Sequence, residues 1–133
     1  MSRKTEGWQI RLAAYLNDCS RRQLAYGQHD CALFAAGAVQ AMTGIDLADG
    51  WRGRYSTLRG GLRVLRAQGY RDHIALAAAH LPEIAAPRPG DLAAIDTPDG
   101  PALGVVQGAM VYVLGDADLS LLPISAARRF FEV

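Results

Sequence analysis

Apolar residues near the start of the chain recur three or four positions apart: Trp8, Leu12, Tyr15, Leu16 and Cys19. This spacing predicts an amphipathic helix over residues 6–19. Cys19 falls on its apolar side, so we expect it to be a small core residue. The polar segment 20–28 that follows carries a turn signal at Gly27.

The second apolar stretch differs because polar residues are almost absent from it. Residues 31–43 carry no charge, and Gln40 is the only strongly polar side chain before Thr43. Asp30 is a favourable N-cap and Gly44 a favourable C-terminal stop. A helix that is apolar on every side is buried on every side. We therefore predict a central buried helix whose first residue is Cys31.

A third helix is predicted to start at a cap on Ser56 or Thr57 and to run to Gln68, where Gly69 closes it. Its expected apolar face carries Leu58, Leu62 and Leu65, and its expected wet face carries Arg59, Arg63 and Arg66. Such a row of arginines resembles a phosphate- or carboxylate-binding stripe, but a solvated helix face is the favoured interpretation. A short fourth helix is predicted over residues 72–81.

From Pro89 onward the chain consists of short apolar runs separated by turn residues. We predict strands over residues 91–96, 102–106, 109–114 and 119–124, with turns at 97–101, 107–108 and 115–118. The last segment, 125–133, ends in Phe130 and Phe131, which we expect to pack onto the core. Helices followed by an antiparallel meander indicate an α+β domain, and residues 1–133 suffice for one domain only.

Charge and composition limit the classes of partner that this chain can be expected to bind. The 133 residues contain 14 Lys and Arg against 13 Asp and Glu, a formal net charge of +1. Such a balance provides no long-range field for nucleic acid or an anionic membrane, and the longest uncharged stretch, 31–45, is shorter than the roughly 20 residues of a membrane span. We therefore expect neither nucleic acid nor membrane as a partner. The oligomeric state is not determined by the sequence.

Two cysteines are too few for a disulfide scaffold, and the N-terminal segment has no apolar run of signal-peptide length. These features predict a chain made in the cytoplasm with reduced thiols, which is compatible with leaving the cell inside a virion. Phosphate-binding glycine motifs and metal-ligand spacings are absent, so neither cofactor nor metal is expected.

Cys31 is the candidate nucleophile, because the unpaired N–H groups of a helix start favour a thiolate. That effect, about 0.3–1 kcal/mol, lowers a thiol pKa of about 8.5 by less than one unit. A competent nucleophile therefore needs a basic partner. His29 lies two residues away in the same loop, with Tyr26 and Gln28 as candidate oxyanion or binding groups. Nothing in the sequence places His73 or His80 near Cys31.

Three segments in order resemble the NlpC family of papain-like cell-wall peptidases. They are Tyr26-Gly-Gln-His-Asp-Cys31 before the buried helix, Pro89-Gly-Asp-Leu92 opening a strand, and Leu103-Gly-Val-Val-Gln-Gly108. The resemblance implies a papain-like fold in which the cysteine attacks and a strand histidine serves as base against peptidoglycan stem peptides. Within this family, the sequence is most similar to a set of small phage and prophage proteins thought to be tail- or assembly-associated.

The resemblance also exposes a departure. Aligning Gly104-Val105-Val106 with the family's strand puts Ala102 where the base histidine should stand. General-base catalysis is typically worth about 10²–10⁴-fold, so its loss removes most of the expected activity. The favoured hypothesis is a phage- or prophage-derived tail or assembly protein with a degenerate site, whose partners are other phage structural proteins. The alternative is an active cysteine hydrolase acting on peptidoglycan, in which His29 replaces the missing base for Cys31.

Overall fold

The computed structural model describes residues 3–98, 100–115 and 118–133. Within those ranges the chain forms four α-helices and six strands, which confirms the α+β class. The helices come first: α1 (Trp8–Cys19), α2 (Cys31–Thr43), α3 (Leu58–Ala67) and α4 (His73–His80). The strands follow: β1 (Glu83–Ile84), β2 (Leu92–Thr97), β3 (Gly100–Gln107), β4 (Met110–Leu114), β5 (Leu119–Pro123) and β6 (Ala127–Phe131).

Helix α2 is the centre of the molecule, as its uncharged sequence predicts. Its bounds agree with the prediction, since the side chain of Asp30 accepts a hydrogen bond from the N–H of Leu33 and Gly44 ends the helix with φ +81°. The core around it joins three layers, α1, α2 and the sheet. It includes Leu12, Leu16 and Cys19 from α1, Phe34, Ala35, Ala38, Val39 and Met42 from α2, and Leu92, Ala94, Leu103 and Val105 from the sheet.

The sheet is antiparallel throughout, with strand order β1-β6-β2-β3-β4-β5. Strands β2 to β5 form the predicted meander. The prediction of four strands is wrong, because β6 turns back and inserts between β1 and β2, pairing Phe131 with Leu92 and with Glu83. Local patterning could not indicate β6, since its Arg128–Arg129 pair interrupts the apolar residues, and β1 has only two residues.

Two further expectations need correction. Helix α1 begins at Trp8 rather than at residue 6, because Gly7 adopts a left-handed φ of +78°. Leu58 does not belong to a buried face of α3. It is the first residue of the helix, at the rim of a cleft, and 54% of its surface is exposed. Parts of the predicted turns, Asp99, Asp116 and Ala117, lie outside the described residues.

The buried helix is too short to cross a bilayer. Among the residues that the structure describes, no helix combines the length and apolar character of a membrane span.

Candidate functional site

The loop before Cys31 is a tight turn. Ala25 and His29 form an antiparallel bridge through backbone hydrogen bonds of 2.7 and 2.8 Å. Gly27 lies at its tip with φ +86°, and any Cβ atom there would overlap the carbonyl oxygen of Tyr55. Only glycine satisfies both requirements. The Tyr-Gly segment found in the sequence therefore has a structural reason in this fold.

Asp30 holds this turn against the helix. Its Oδ1 accepts from the N–H of Leu33 at 2.9 Å and caps α2. Its Oδ2 accepts from the N–H of Gly27 at 2.9 Å and from the hydroxyl of Tyr55 at 2.6 Å. Both carboxylate oxygens are thus satisfied inside the protein, where Asp30 is 3% exposed. The Asp of the Asp-Cys pair positions the helix start that carries Cys31.

Cys31 lies on a cleft of about 690 Å³, which we call the Cys31 cleft. Six polar side chains line it together with the thiol: Tyr26, Asp30, Tyr55, His73, Thr97 and Ser120. The rest of the lining is mostly apolar and comes from α3 and the sheet: Leu24, Leu58, Leu62, Leu65, Ala102, Val113, Leu114 and Leu122. Cys31 as a residue is partly exposed and contributes to the lining of the cleft.

His73 is the site residue that sequence reasoning missed. It is the first residue of α4, whose cap is Asp72, and the fold brings it to the Cys31 cleft from a distant part of the chain. Burial lowers its pKa, while the charges of Asp72 and Asp30 act in the opposite direction. Its Nε2 is buried and has no hydrogen-bond partner among the described residues. The lowered pKa keeps the imidazole uncharged at neutral pH.

His29 and Gln28 lie on a different cavity. The structure places both on a pocket of about 420 Å³, the His29 pocket, whose α2 residues include Leu33 and Gly37. Residues 31 and 33 point about 200° apart around a helix axis, so this pocket and the Cys31 cleft flank opposite sides of α2. Of the residues proposed from the sequence, Tyr26 shares the cleft with Cys31, whereas His29 and Gln28 do not line it.

The environment of His29 also differs from that of His73. His29 is 2% exposed, and its Nε2 lacks a hydrogen-bond partner in the described part of the chain. Burial lowers its pKa, and the nearby charge of Arg22 adds to that effect. The charges of Asp30 and Asp18 partly oppose it.

Ala102 and Gly104 explain the strand motif. Ala102 is 3% exposed, lines the Cys31 cleft and belongs to the apolar cluster against which Cys31 packs. Gly104 follows on the same face of β3. A Cβ atom at Gly104 would overlap the side chain of Val111 and lie 2.6 Å from the carbonyl oxygen of Tyr112. A glycine there allows β3 and β4 to approach closely.

The Gly-Asp segment before β2 has a structural task. Asp91 is 1% exposed and accepts hydrogen bonds from Lys4 Nζ at 3.2 Å, the N–H of Val133 at 3.0 Å and the N–H of Arg88 at 2.8 Å. Lys4 Nζ also donates to the carbonyl of Val133 at 2.9 Å. This buried ion pair ties the two ends of the described chain to the start of β2.

The cleft can support only a restricted chemistry. A thiol at a helix start, a neutral histidine and two tyrosine hydroxyls share it. Burial raises the pKa of Tyr55, and its hydrogen bond to Asp30 raises it further, so this hydroxyl stays protonated as a donor. No group of three or more potential ligands for a metal ion occurs within residues 3–98, 100–115 and 118–133. The chemistry available is thiol nucleophilic attack or binding without reaction.

Comparison with known families adds one match. A model described as "Domain of unknown function (DUF6950)" matches residues 3–133, which include every element described above. Comparison with curated proteins and with solved structures finds no match. Because the match spans nearly the whole sequence, the chain belongs to the DUF6950 family.

Proposed function

We propose that this chain is a papain-like domain of NlpC type with a degenerate site, working as a phage- or prophage-derived tail or assembly component. Its partners would be other phage structural proteins, held through the Cys31 cleft without cleavage. The observation that carries the proposal is Ala102, which lines the cleft with Cys31 at the position that the resemblance assigns to the base histidine.

Several features support the papain-like part of the proposal. Cys31 begins a buried helix that packs on an antiparallel sheet, and β3 contributes to the same cleft. Ala102 is paired with Ile95 in the centre of that sheet, and both side chains belong to one buried cluster. A methyl group there offers no proton acceptor, so the thiol lacks the partner on which papain-like catalysis depends.

The lining of the cleft supports binding rather than hydrolysis. Apolar side chains from α3 and from β3 to β5 dominate its walls, as in most sites that hold a ligand by burial. The volume of about 690 Å³ fits a few side chains of a partner segment.

A second candidate function is an active cysteine hydrolase acting on peptidoglycan stem peptides. The specific observation in its favour is His73, which lines the Cys31 cleft with a buried Nε2 that has no hydrogen-bond partner within the described part of the chain. His73 is a better base candidate than His29, because His29 lines the pocket on the other side of α2. In this candidate His73 accepts the proton of Cys31, and the hydroxyl of Tyr26 stabilises the oxyanion.

Thiol reactivity against pH separates the two candidates. We expect Cys31 to react with iodoacetamide with the pH profile of an ordinary thiol and to leave peptidoglycan fragments intact. Cys19 is fully buried and should stay unmodified in the folded protein, and Cys31→Ala measures the background. A thiol pKa near 6 that returns to the ordinary range in His73→Ala, with fragment cleavage lost in Cys31→Ala, would establish the hydrolase instead.

Restoring the missing base tests the papain-like part of the proposal. Ala102→His should lower the thiol pKa of Cys31 by one unit or more, since an imidazolium within about 4–6 Å favours the thiolate. Ser120→His is the matched control, because Ser120 lines the same cleft from β5. If both variants fold and neither changes the pH profile, Ala102 does not occupy the base position and the NlpC-type assignment fails.

A further inference from the structure

One segment of the chain concentrates positive charge. Between Asp49 and Asp72 there is no acidic residue, yet six arginines occur: Arg52, Arg54, Arg59, Arg63, Arg66 and Arg71. The remainder of the chain contains the other eight basic residues and all 13 acidic residues, so it carries a formal charge of −5. The net charge of +1 conceals this division.

The structure leaves these arginines exposed to solvent. Arg52 is neutralised by Asp46, which accepts hydrogen bonds from its Nε and Nη2 at 3.2 and 2.9 Å. The other five have no side-chain hydrogen bond or ion pair with any described residue. Arg59, Arg63 and Arg66 together line a surface depression of about 530 Å³ on α3, which we call the arginine face.

This arrangement does not serve the stability of α3. Arg59 and Arg63 are four residues apart and Arg63 and Arg66 three, and like charges at these spacings repel along a helix. Only Arg66 lies in the last turn, where the helix dipole favours a cation. An anionic partner lying along the face would offset the repulsion and form the bidentate pairs that guanidinium groups make with carboxylates.

The surroundings indicate what kind of anion fits. The neighbouring face of α3, about 100° around the helix axis, lines the Cys31 cleft through Leu58, Leu62 and Leu65, and Leu58 is 54% exposed beside Arg59. A partner on α3 therefore meets cations and apolar surface together. A long polyanion such as nucleic acid would also extend over the acidic remainder of the molecule and be repelled there. Salt screens such repulsion only beyond about 8–10 Å.

From these observations we infer that the arginine face docks an acidic, amphipathic segment of a partner protein, with its carboxylates on Arg59, Arg63 and Arg66 and an apolar side chain toward Leu58. This inference does not depend on whether Cys31 is reactive. A catalytically active chain could carry the same docking face, so its test is separate from the thiol experiments above.

The test uses a fluorescent synthetic peptide of Glu-Glu-Leu repeats and measures its binding to the whole chain by anisotropy. We expect affinity that falls as salt rises from about 50 to about 500 mM and is absent for Gln-Gln-Leu repeats. The double variant Arg59→Glu, Arg63→Glu should weaken binding by about tenfold or more, since two attractive pairs become repulsive. Arg59→Lys, Arg63→Lys should weaken it less, because charge remains and bidentate geometry is lost.

A matched control is the double variant Arg21→Glu, Arg88→Glu, which makes the same change of net charge at exposed sites off α3. It should change affinity by less than about twofold. An equal loss in this control would overturn the inference, as would tighter binding of a single-stranded oligonucleotide of the same charge. A further outcome is that the chain, without any peptide, forms dimers whose solution mass falls to that of the monomer at high salt or in the variant Arg59→Glu, Arg63→Glu. That outcome would overturn the inference and assign the arginine face to a second copy of the chain. Unfolding curves of each variant establish that it folds.

Discussion

The hydroxyl of Tyr55 donates a 2.6 Å hydrogen bond to Oδ2 of Asp30, joining the connection before α3 to the start of α2. The other oxygen of the same carboxylate caps α2 through Leu33. Cys31 directly follows Asp30, the residue that makes both interactions. The position of the thiol therefore depends on a residue far along the chain as well as on its own helix.

Removing this hydroxyl should destabilise the protein. We expect Tyr55→Phe to lower the free energy of unfolding by about 1–2 kcal/mol, because a buried carboxylate oxygen loses a partner. Urea unfolding measures the change. Tyr70→Phe is the control, since the one partner of the Tyr70 hydroxyl among the described residues is the exposed His80 ring at 3.2 Å, and its loss should cost below about 0.5 kcal/mol. Equal losses would contradict a special role for the Tyr55–Asp30 bond.

The ion pairs of Asp91 and of Asp96 should differ greatly in their contribution to the free energy of unfolding. Asp91→Ala removes the carboxylate that pairs with Lys4 and accepts from two backbone N–H groups, and we expect a loss of about 3–5 kcal/mol. Lys4 Nζ keeps its hydrogen bond to the carbonyl of Val133 but loses its counter-charge. Asp96 pairs with Arg128 at 3.0 Å with both side chains more than half exposed, so Asp96→Ala should cost less than about 1 kcal/mol. The urea midpoints of the two variants are to be compared. A loss from Asp91→Ala as small as that from Asp96→Ala would contradict the structural role of the buried Lys4–Asp91 ion pair.

A methyl group at Gly104 should not be tolerated. In Gly104→Ala the new Cβ meets Val111 and the carbonyl oxygen of Tyr112, so β3 and β4 must separate, and we expect a loss of about 1–3 kcal/mol. Gly60→Ala is the contrasting variant. Its Cβ would lie 3.1 Å from Oγ1 of Thr57 and 3.3 Å from Cβ of Tyr55, so these side chains must shift by a few tenths of an ångström. The preference of alanine for a helix, up to about 1 kcal/mol, offsets that cost. Thermal unfolding should therefore show a smaller loss for Gly60→Ala than for Gly104→Ala, and equal losses would contradict the close approach of β3 and β4 at Gly104.

Stability should decrease as the solution becomes mildly acidic. Burial lowers the pKa of His29 and of His73, so near pH 6.5 the unfolded chain binds protons that the folded chain does not. The free energy of unfolding should then fall between about pH 7.5 and about pH 5.5. Urea unfolding across this range measures the slope, which His29→Gln, His73→Gln should flatten. A slope of the opposite sign would contradict the burial of these rings.

Local signals predicted the helices well, because their information lies within a few residues. The carboxylate of Asp30, the uncharged run after it and the flexibility of Gly44 define α2 without help from the rest of the chain. The same holds for the burial of Cys19 and for the cap of α3, which the sequence placed at Ser56 or Thr57 and which the structure shows to be Thr57. The strand meander was also predictable, since turn residues separate its apolar runs.

Long-range pairing was not predictable. Strand β6 carries two arginines within five residues, and its place between β1 and β2 comes from hydrogen bonds to distant backbone groups. Leu58 fits the helical pattern of α3 but lies where the helix overhangs the cleft rather than the core. Neither outcome is encoded in nearby residues.

The candidate site shows the same division. The sequence alone determined that Cys31 begins a buried helix, since capping and apolar periodicity act within one or two turns. Only the tertiary structure decided that His73, and not the neighbouring His29, shares the cleft with Cys31. Residues two apart at a helix start project to different sides, whereas packing of α4 and the sheet brings His73 and Ala102 to that cleft.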